Sequence, residues 1–387
     1  MPVWVYRWRG IARTRLERPD ALGDLDAAVA RGDTAAATYF WRGCARLDAD
    51  APGPAEADFD LALAGGIDPP SVQLLRGVAR LRLGRPAEAR ADLDAVIEGG
   101  RIDVLGLSSR ADARRALGDA AGAADDLRRA IALAPQDPAL PGRLVTVLRG
   151  LERNGEALRL LDDMLERAPD RLDARWQRAE MHLIAGRFDA AEADYDKLIE
   201  HHPGDADVRA KRSTARYGRG DAAGAIADLD VAVAQAPANP LPLADRADAW
   251  LLLGRLDAAE RDIAAVVALA PASAPAHGLP ALLALARGDA EAASRGFEQA
   301  EAVDRSGNWT LRRGLALLLC GQVGEAQAVY AQGLADACPG DARLARLELD
   351  HWLAKSGKAF DADAVDLVRG RIDAAIHAGM VDDTDRG

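Results

Sequence analysis

Apolar residues recur along this chain with the spacing of an α-helix. Between Gly186 and Pro203, residues Ala191, Tyr195, Leu198 and Ile199 fall at i, i+4, i+7 and i+8, with charged residues between them. That is one stripe of a helix. A second amphipathic run, ARWQRAEMHLIAG from Ala174 to Gly186, precedes it. The glycine ends the first run, because it enters a left-handed turn without a Cβ penalty. The proline ends the second, because it cannot continue a helix. The predicted element is a helix, a tight turn, a second helix and a Pro-marked loop.

The element repeats. Pro135, Pro169, Pro203, Pro237 and Pro271 are each 34 residues apart, and Pro339 lies 68 further on. Twelve residues before each of the first five sit Ala123, Ala157, Ala191, Ala225 and Ala259, and the same frame reaches back to Ala89, Ala55 and Ala21. Seventeen before most of them comes a glycine, as at Gly84, Gly118, Gly186, Gly220, Gly254 and Gly288. A small residue at a fixed place in the second helix implies close approach of two helix backbones there. From Pro2 to Pro339 the frame gives about ten repeats, with one residue lost near the tenth, where Gly314, Gly321, Ala326 and Tyr330 each fall one place early. In repeats five and nine, Pro138, Pro141 and Gly142, then Pro275, Gly278 and Pro280, fall where the first helix begins. Both first helices are expected to start late and be short.

Charge follows the same frame. Arg42, Arg76, Arg110, Arg178, Arg212 and Arg246 share one slot of the first helix; sixteen residues later come Asp58, Asp92, Asp126, Asp194, Asp228 and Asp262. Repeat five replaces both, with Leu144 and Leu160, and so does repeat nine, with Pro280 and Gly296; Arg313 of repeat ten has no Asp partner in the frame. Losing one partner of a partly buried pair costs about 3–5 kcal/mol, whereas replacing both by apolar groups can be neutral. The pattern predicts an Arg–Asp pair joining two helices, in preference to a row of arginines open to an anionic ligand.

These units resemble tetratricopeptide repeats: 34 residues, two antiparallel helices, a small residue in the second helix and a terminal Pro. Trp309 keeps the bulky first-helix aromatic of that family approximately, while Leu107 and Arg175 replace it elsewhere. The resemblance implies an all-α fold, an α-solenoid in which helical hairpins form a right-handed superhelix. Residues 1–340 are then a tandem array of about ten repeats, each leaning on its neighbours, and 341–387 a partial repeat with capping helices over the last one. In that family the first helices line a concave face where peptides or partner helices bind. The corresponding slots here hold Phe40, Trp41, Asp112, Arg115, Arg143, Arg149, Trp176, Glu180, Lys211, Tyr217 and Asp248. Family members that grip C-terminal carboxylates use Lys and Asn at slots that here hold Phe40, Cys44, Leu74 and Val78, so that ligand is rejected.

Composition narrows the function. Apolar residues make up 49% but aromatics only 4%, so the core must be built from Ala, Leu and Val. A net charge of -12 disfavours nucleic acid and anionic membrane as partners. No apolar run approaches the roughly 18 residues of a membrane span, and the N-terminal MPVWVYRWRG is no signal peptide. Cys44, Cys320 and Cys338 are odd in number and far apart, which suits a reduced, cytoplasmic setting. Arginine far outnumbers lysine beside abundant Ala, Asp and Gly, a bias associated with GC-rich bacterial genomes. His201 and His202 are adjacent, so they point about 100° apart on a helix and cannot share a metal as an i, i+4 pair can. No phosphate loop, nucleophile motif or metal motif stands out, and the repeats leave no room for a catalytic domain. The expected function is a non-catalytic scaffold or adaptor that binds a protein or peptide on its concave face, without metal or cofactor. The alternative is a peptide-responsive regulator that switches a partner through the same groove.

Overall fold

The computed structural model describes residues 1–18, 20–305, 307–335, 337–356 and 362–381, and among them every regular element is a helix. Nine hairpins and, at the fifth repeat, two further helices follow in order. They are α1 (Val3–Arg15) with α2 (Ala21–Ala30), α3 (Ala36–Asp48) with α4 (Pro52–Ala64), and α5 (Pro69–Arg82) with α6 (Pro86–Glu98). Next come α7 (Val104–Ala116) with α8 (Ala120–Leu133), then α9 (Ala139–Gly150) and α10 (Asn154–Arg167), which fall in different compact units, and α11 (Leu172–Ile184) with α12 (Phe188–His201). Then follow α13 (Ala206–Gly218) with α14 (Ala222–Gln235), α15 (Pro240–Leu252) with α16 (Leu256–Leu269), α17 (Ala274–Ala286) with α18 (Ala290–Val303), and α19 (Gly307–Leu319) with α20 (Val323–Ala335). Two longer helices, α21 (Pro339–Ser356) and α22 (Ala362–Val381), close the chain. Of the C-terminal segment, residues 357–361 and 382–387 lie outside the described residues. The hairpins form an all-α solenoid that divides into two compact units, Met1–Arg153 and Asn154–Gly387.

The framing residues do what their chemistry predicts. The turn glycines Gly84, Gly186 and Gly254 adopt φ of +67° to +70°, and where repeats two and five lack glycine, Asp50 and Glu152 take the same left-handed conformation. The framed alanines Ala55, Ala89, Ala123, Ala157, Ala191 and Ala259 are fully buried. First helices of successive hairpins touch, α1 with α3, α3 with α5 and α5 with α7 in one unit, α13 with α15 and α15 with α17 in the other. That contact puts the first helices on the inner side of the curve in each unit.

All six expected Arg–Asp pairs form, and each is bidentate. From Arg42–Asp58 to Arg246–Asp262, Nε donates to Oδ2 at 2.8–2.9 Å and Nη2 to Oδ1 at 2.5–2.8 Å. The same guanidinium also reaches back to the preceding hairpin. Arg76 meets Asp60 at 2.7 Å, Arg178 meets Asp162 at 2.7 Å and Arg246 meets Asp230 at 2.8 Å. Each arginine therefore ties its own second helix to the previous one. Its signature is an Asp-x-Asp step in the second helix, as at Asp58 and Asp60. The step is broken by Arg128 before repeat five and by Ala264 before repeat nine, just where the next arginine is missing. Arg313, without an Asp in the frame, pairs instead with Glu301 at 3.1 Å and Glu325 at 3.4 Å.

Two expectations need correction. Helix α9 starts one residue late and has 12 residues, but α17 starts in frame with 13, and Pro280 sits inside it. Pro280 lies on the exposed face, where water can satisfy the carbonyl that loses its amide, while Leu279, Ala281, Leu282 and Leu283 are buried beneath. A Cβ on Gly278 would come within 2.2 Å of the Trp309 ring, so tight packing holds this helix against its proline. The second correction concerns neighbours. Within the C-terminal unit, helix α21 packs against α11, α13 and α19 as well as α22, so this helix touches hairpins far from it in sequence.

The Arg246–Asp262 pair gives the cleanest test, because Trp250 stands where other repeats add a second arginine. Arg246→Leu or Asp262→Leu alone is expected to cost about 3 kcal/mol in urea unfolding of the whole chain, and the double variant to recover most of that loss.

Candidate functional site

The candidate surface is the inner face formed by the first helices. Three slots of each first helix build it, at i, i+3 and i+6. They hold Trp41, Cys44 and Leu47 in α3; Leu75, Val78 and Leu81 in α5; Ser109, Asp112 and Arg115 in α7; and Arg143, Thr146 and Arg149 in α9. In the C-terminal unit the same slots hold Lys211, Thr214 and Tyr217 in α13 and Asp245, Asp248 and Leu251 in α15. The frame thus brings sequence-predicted residues from several repeats into one row within each unit. Phe40 lies beside that row, in edge contact with Trp41 at 5.3 Å between ring centroids.

In the N-terminal unit the row is open. A cleft of about 840 Å³ is lined by Arg15, Arg18, Trp41, Cys44, Leu47, Asp48 and Arg82, with the Arg15 guanidinium 4.9 Å above the Trp41 ring. Burial pushes the Cys44 thiol up to about 12, so it stays protonated. Further along, Arg143 pairs with Asp112 at 2.7 Å and donates to the Ser108 carbonyl at 2.7 Å. Arg115 and Arg149 are exposed. The row changes from apolar in α3 and α5 to basic in α7 and α9.

In the C-terminal unit the row is covered by the chain's own α21. Arg343 Nη1 donates to the Gly186 carbonyl at 2.6 Å, and Gly340 packs so close to Leu183 that a Cβ there would come within 2.4 Å of its carbonyl oxygen. Further along α21, Tyr217 donates to Glu348 at 3.2 Å. Glu348 and Asp248 both hold Arg312, at 2.7 Å and 2.9 Å, and Arg312 is 3% exposed. Burial alone would lower the Arg312 pKa, but the two carboxylates win and raise it. Enclosure likewise raises Tyr217 and Asp248 above their ordinary values. The other predicted residues sit apart from this cluster. Trp176 stacks edge-on with Tyr195 at 5.9 Å, and Glu180 pairs with Lys211 at 3.0 Å. Arg312 and Glu348 carried no signal in the repeat frame. Arg312 is only the neighbour of the framed Arg313, and nothing periodic foretells the path of α21.

His201 and His202 are exposed at the end of α12, with His201 Nδ1 2.9 Å from the Lys197 carbonyl. Among the described residues no group of three or more His, Cys, Asp or Glu side chains is placed to hold a metal ion, and no helix is long and apolar enough to cross a membrane.

Stacked helical hairpins with a repeated inner row define an α-solenoid of the helical-repeat class. A tetratricopeptide repeat profile matches residues 74–138, 143–206 and 185–240. Those segments are tetratricopeptide repeats, and the hairpins on either side of them keep the same 34-residue frame. Several solved structures are similar to it. A tetratricopeptide repeat protein from Parabacteroides merdae is 18% identical, with a TM-score of 0.45 over 70% of this chain and 93% of that one. Yeast Tom70 is 14% identical, with a TM-score of 0.39 over 91% and 96%. A thermophilic repeat protein of Thermus thermophilus is 21% identical, with a TM-score of 0.37 over 47% and 100%. Among curated proteins none matches the chain.

Two outcomes follow from the buried cluster. Arg312→Leu strands Asp248 and Glu348 and is expected to cost about 3–5 kcal/mol, with faster amide exchange across residues 339–356. Asp245 is raised to about 7, first by enclosure and then by Asp248. A folded value above the unfolded one means its contribution is full below about pH 4 and is lost as pH rises through 7. The melting temperature should therefore fall between about pH 4 and 7, and less steeply in Asp245→Asn.

Proposed function

We propose that this protein is a non-catalytic scaffold whose N-terminal unit seats a partner peptide or helix along its inner row, with Phe40, Trp41, Asp112, Arg115, Arg143 and Arg149 as contacts. The single observation that carries this reading is the pair of matching rows. The slots that α21 covers in one unit stand open in the other. Tyr217, which bonds α21, shares its repeat slot with Arg115 and Arg149. The fitting occupant is apolar toward α3 and α5 and acidic toward α7 and α9, where the exposed arginines lack counter-charges. In the C-terminal unit, Tyr217 and Asp248 serve the seat of α21, Trp176, Glu180 and Lys211 lie apart from it, and residues 341–387 complete and cap the array of residues 1–340. A cytoplasmic setting suits the three free cysteines.

A regulator that releases α21 to admit a partner is the weaker reading. Ala342, Ala345, Leu349 and Trp352 of that helix belong to the main core, and freeing them would expose it.

The experiment is site-specific photocrosslinking in native-host extracts. A crosslinker at Trp41 or Arg149 should trap one protein that a crosslinker at exposed Arg90 does not. Arg143→Glu with Arg149→Glu should lower that yield at least tenfold, and an equal yield at all positions would sink the assignment.

A further inference from the structure

Helix α1 keeps the repeat geometry with its residues one place later in the frame. Arg9 grips Asp24 through Nε and Nη2 as Arg42 grips Asp58, and Gly10 packs on Leu25 as Gly43 packs on Phe59. Val5 and Ala12 therefore fall in the slots of Thr38 and Ala45. Those two slots are buried in every first helix from α3 to α17. The cover comes from the second helix of the preceding hairpin. Val72 and Ala79 share a core with Phe59 and Ala62 of α4, and Val208 and Ala215 share one with Tyr195 and Leu198 of α12. On α1 no described residue supplies that cover. Ala12 is exposed, and beside it Trp4, Trp8 and Leu16 are 59%, 61% and 69% exposed. The two tryptophans alone leave about 300 Å² in water, the size at which an exposed patch begins to mark a binding site. Arg15 and Arg18 are exposed at the C-terminal end of this face.

We propose that this face of α1 docks on α22 of a second copy of the chain, head to tail. Helix α22 buries one side, with Val365, Val368 and Ile372, and exposes the other, with Leu367, Gly370, Ala374 and Ala378. Small side chains make that exposed side a shallow groove, and a Cβ on Gly370 would meet nothing within 4 Å. Helices that follow one another through tight turns run antiparallel. Laid antiparallel on α22, α1 sets Trp4 against Ala378, Trp8 against Ala374 and Ala12 against Gly370 at once, because both rows advance four residues at a time. The same register brings Arg15 and Arg18 to the first turn of α22, where Asp363 and Asp366 are exposed. Bulk meets small side chains and cations meet carboxylates. Helix α1 holds no acidic residue, so pairing with a second α1 would leave its arginines unanswered. One helix laid on another buries less than a permanent dimer does, so the dissociation constant is expected at about 10–100 µM.

The test is sedimentation velocity of the full chain from about 5 µM to about 500 µM. The two docking surfaces differ, so a joined pair still offers one free α1 and one free α22. The mean mass should therefore pass beyond two copies as concentration rises. Trp8→Glu and Ala374→Glu, both at exposed positions, should each weaken association at least tenfold. Mixed in equal amounts, the two variants keep one intact α1 and one intact α22 between them, and should give a two-copy complex that grows no further. If either variant misfolds, a benzophenone side chain in place of Trp4 keeps the test decisive, because it should crosslink to residues 362–378 of a second copy. A monomer at every concentration overturns the proposal, including one that co-sediments with phosphatidylcholine vesicles, the behaviour of a lipid-binding helix. So does assembly that stops at two copies, or assembly that Ala374→Glu leaves unchanged. Trp41 and Arg149 lie on other helices, so none of these outcomes touches the partner proposed for the inner row.

Discussion

A bidentate bond between one arginine and one aspartate, repeated every 34 residues, sets the geometry on which the stack depends. A core of alanine and leucine is held by burial, which has no direction. With aromatics at only 4%, few large rings lock one helix against the next. The guanidinium fork supplies that direction, because its two parallel bonds fix both distance and plane. Since Arg76 also reaches Asp60 of the preceding hairpin, the same side chain sets the angle within a repeat and the register between repeats. The frame drops the device as a whole. Where Leu144 replaces the arginine, Leu160 replaces its forward aspartate and Arg128 its backward one. The boundary between the compact units, after Arg153, falls in that same repeat.

The hairpins, their turns and the six forward pairs were legible in the sequence because each depends on residues at fixed separation within one repeat. The backward pairs were equally periodic but hidden in the Asp-x-Asp step, where the second aspartate reads as ordinary surface charge. Pro280 misled for the opposite reason. A local rule places it at a helix start, but the burial of Leu279 and Leu282 and the contact of Gly278 with Trp309 outweigh one lost backbone bond. The course of α21 was not legible at all. Its contacts with Gly186, Tyr217 and Arg312 span 157, 131 and 36 residues, and no periodicity relates them.

That helix changes how the inner row is read. From sequence, eleven residues formed one continuous groove. Tyr217 and Asp248 are instead engaged by Glu348 and Arg312, whereas Arg115 and Arg149 stand exposed. The same slot can therefore hold a residue that packs the molecule's own helix or one that faces open space, depending on whether a helix lies across it. A repeated frame fixes where a side chain points and leaves open what it meets there.

Charge separates the two cases further. Along the main pairs, arginines and aspartates answer one another, so the net charge of -12 is carried elsewhere. Part of the imbalance is local and of opposite sign in the two units: exposed Arg115 and Arg149 in one, unpartnered Asp245 in the other. A solenoid that neutralises its structural charges so thoroughly makes each remaining excess informative. An uncompensated charge on an inner slot costs stability when enclosed and little when exposed, as at Arg149. An enclosed one is met within the molecule, as Arg312 is by Asp248 and Glu348, because only a matching charge offsets the water it has lost.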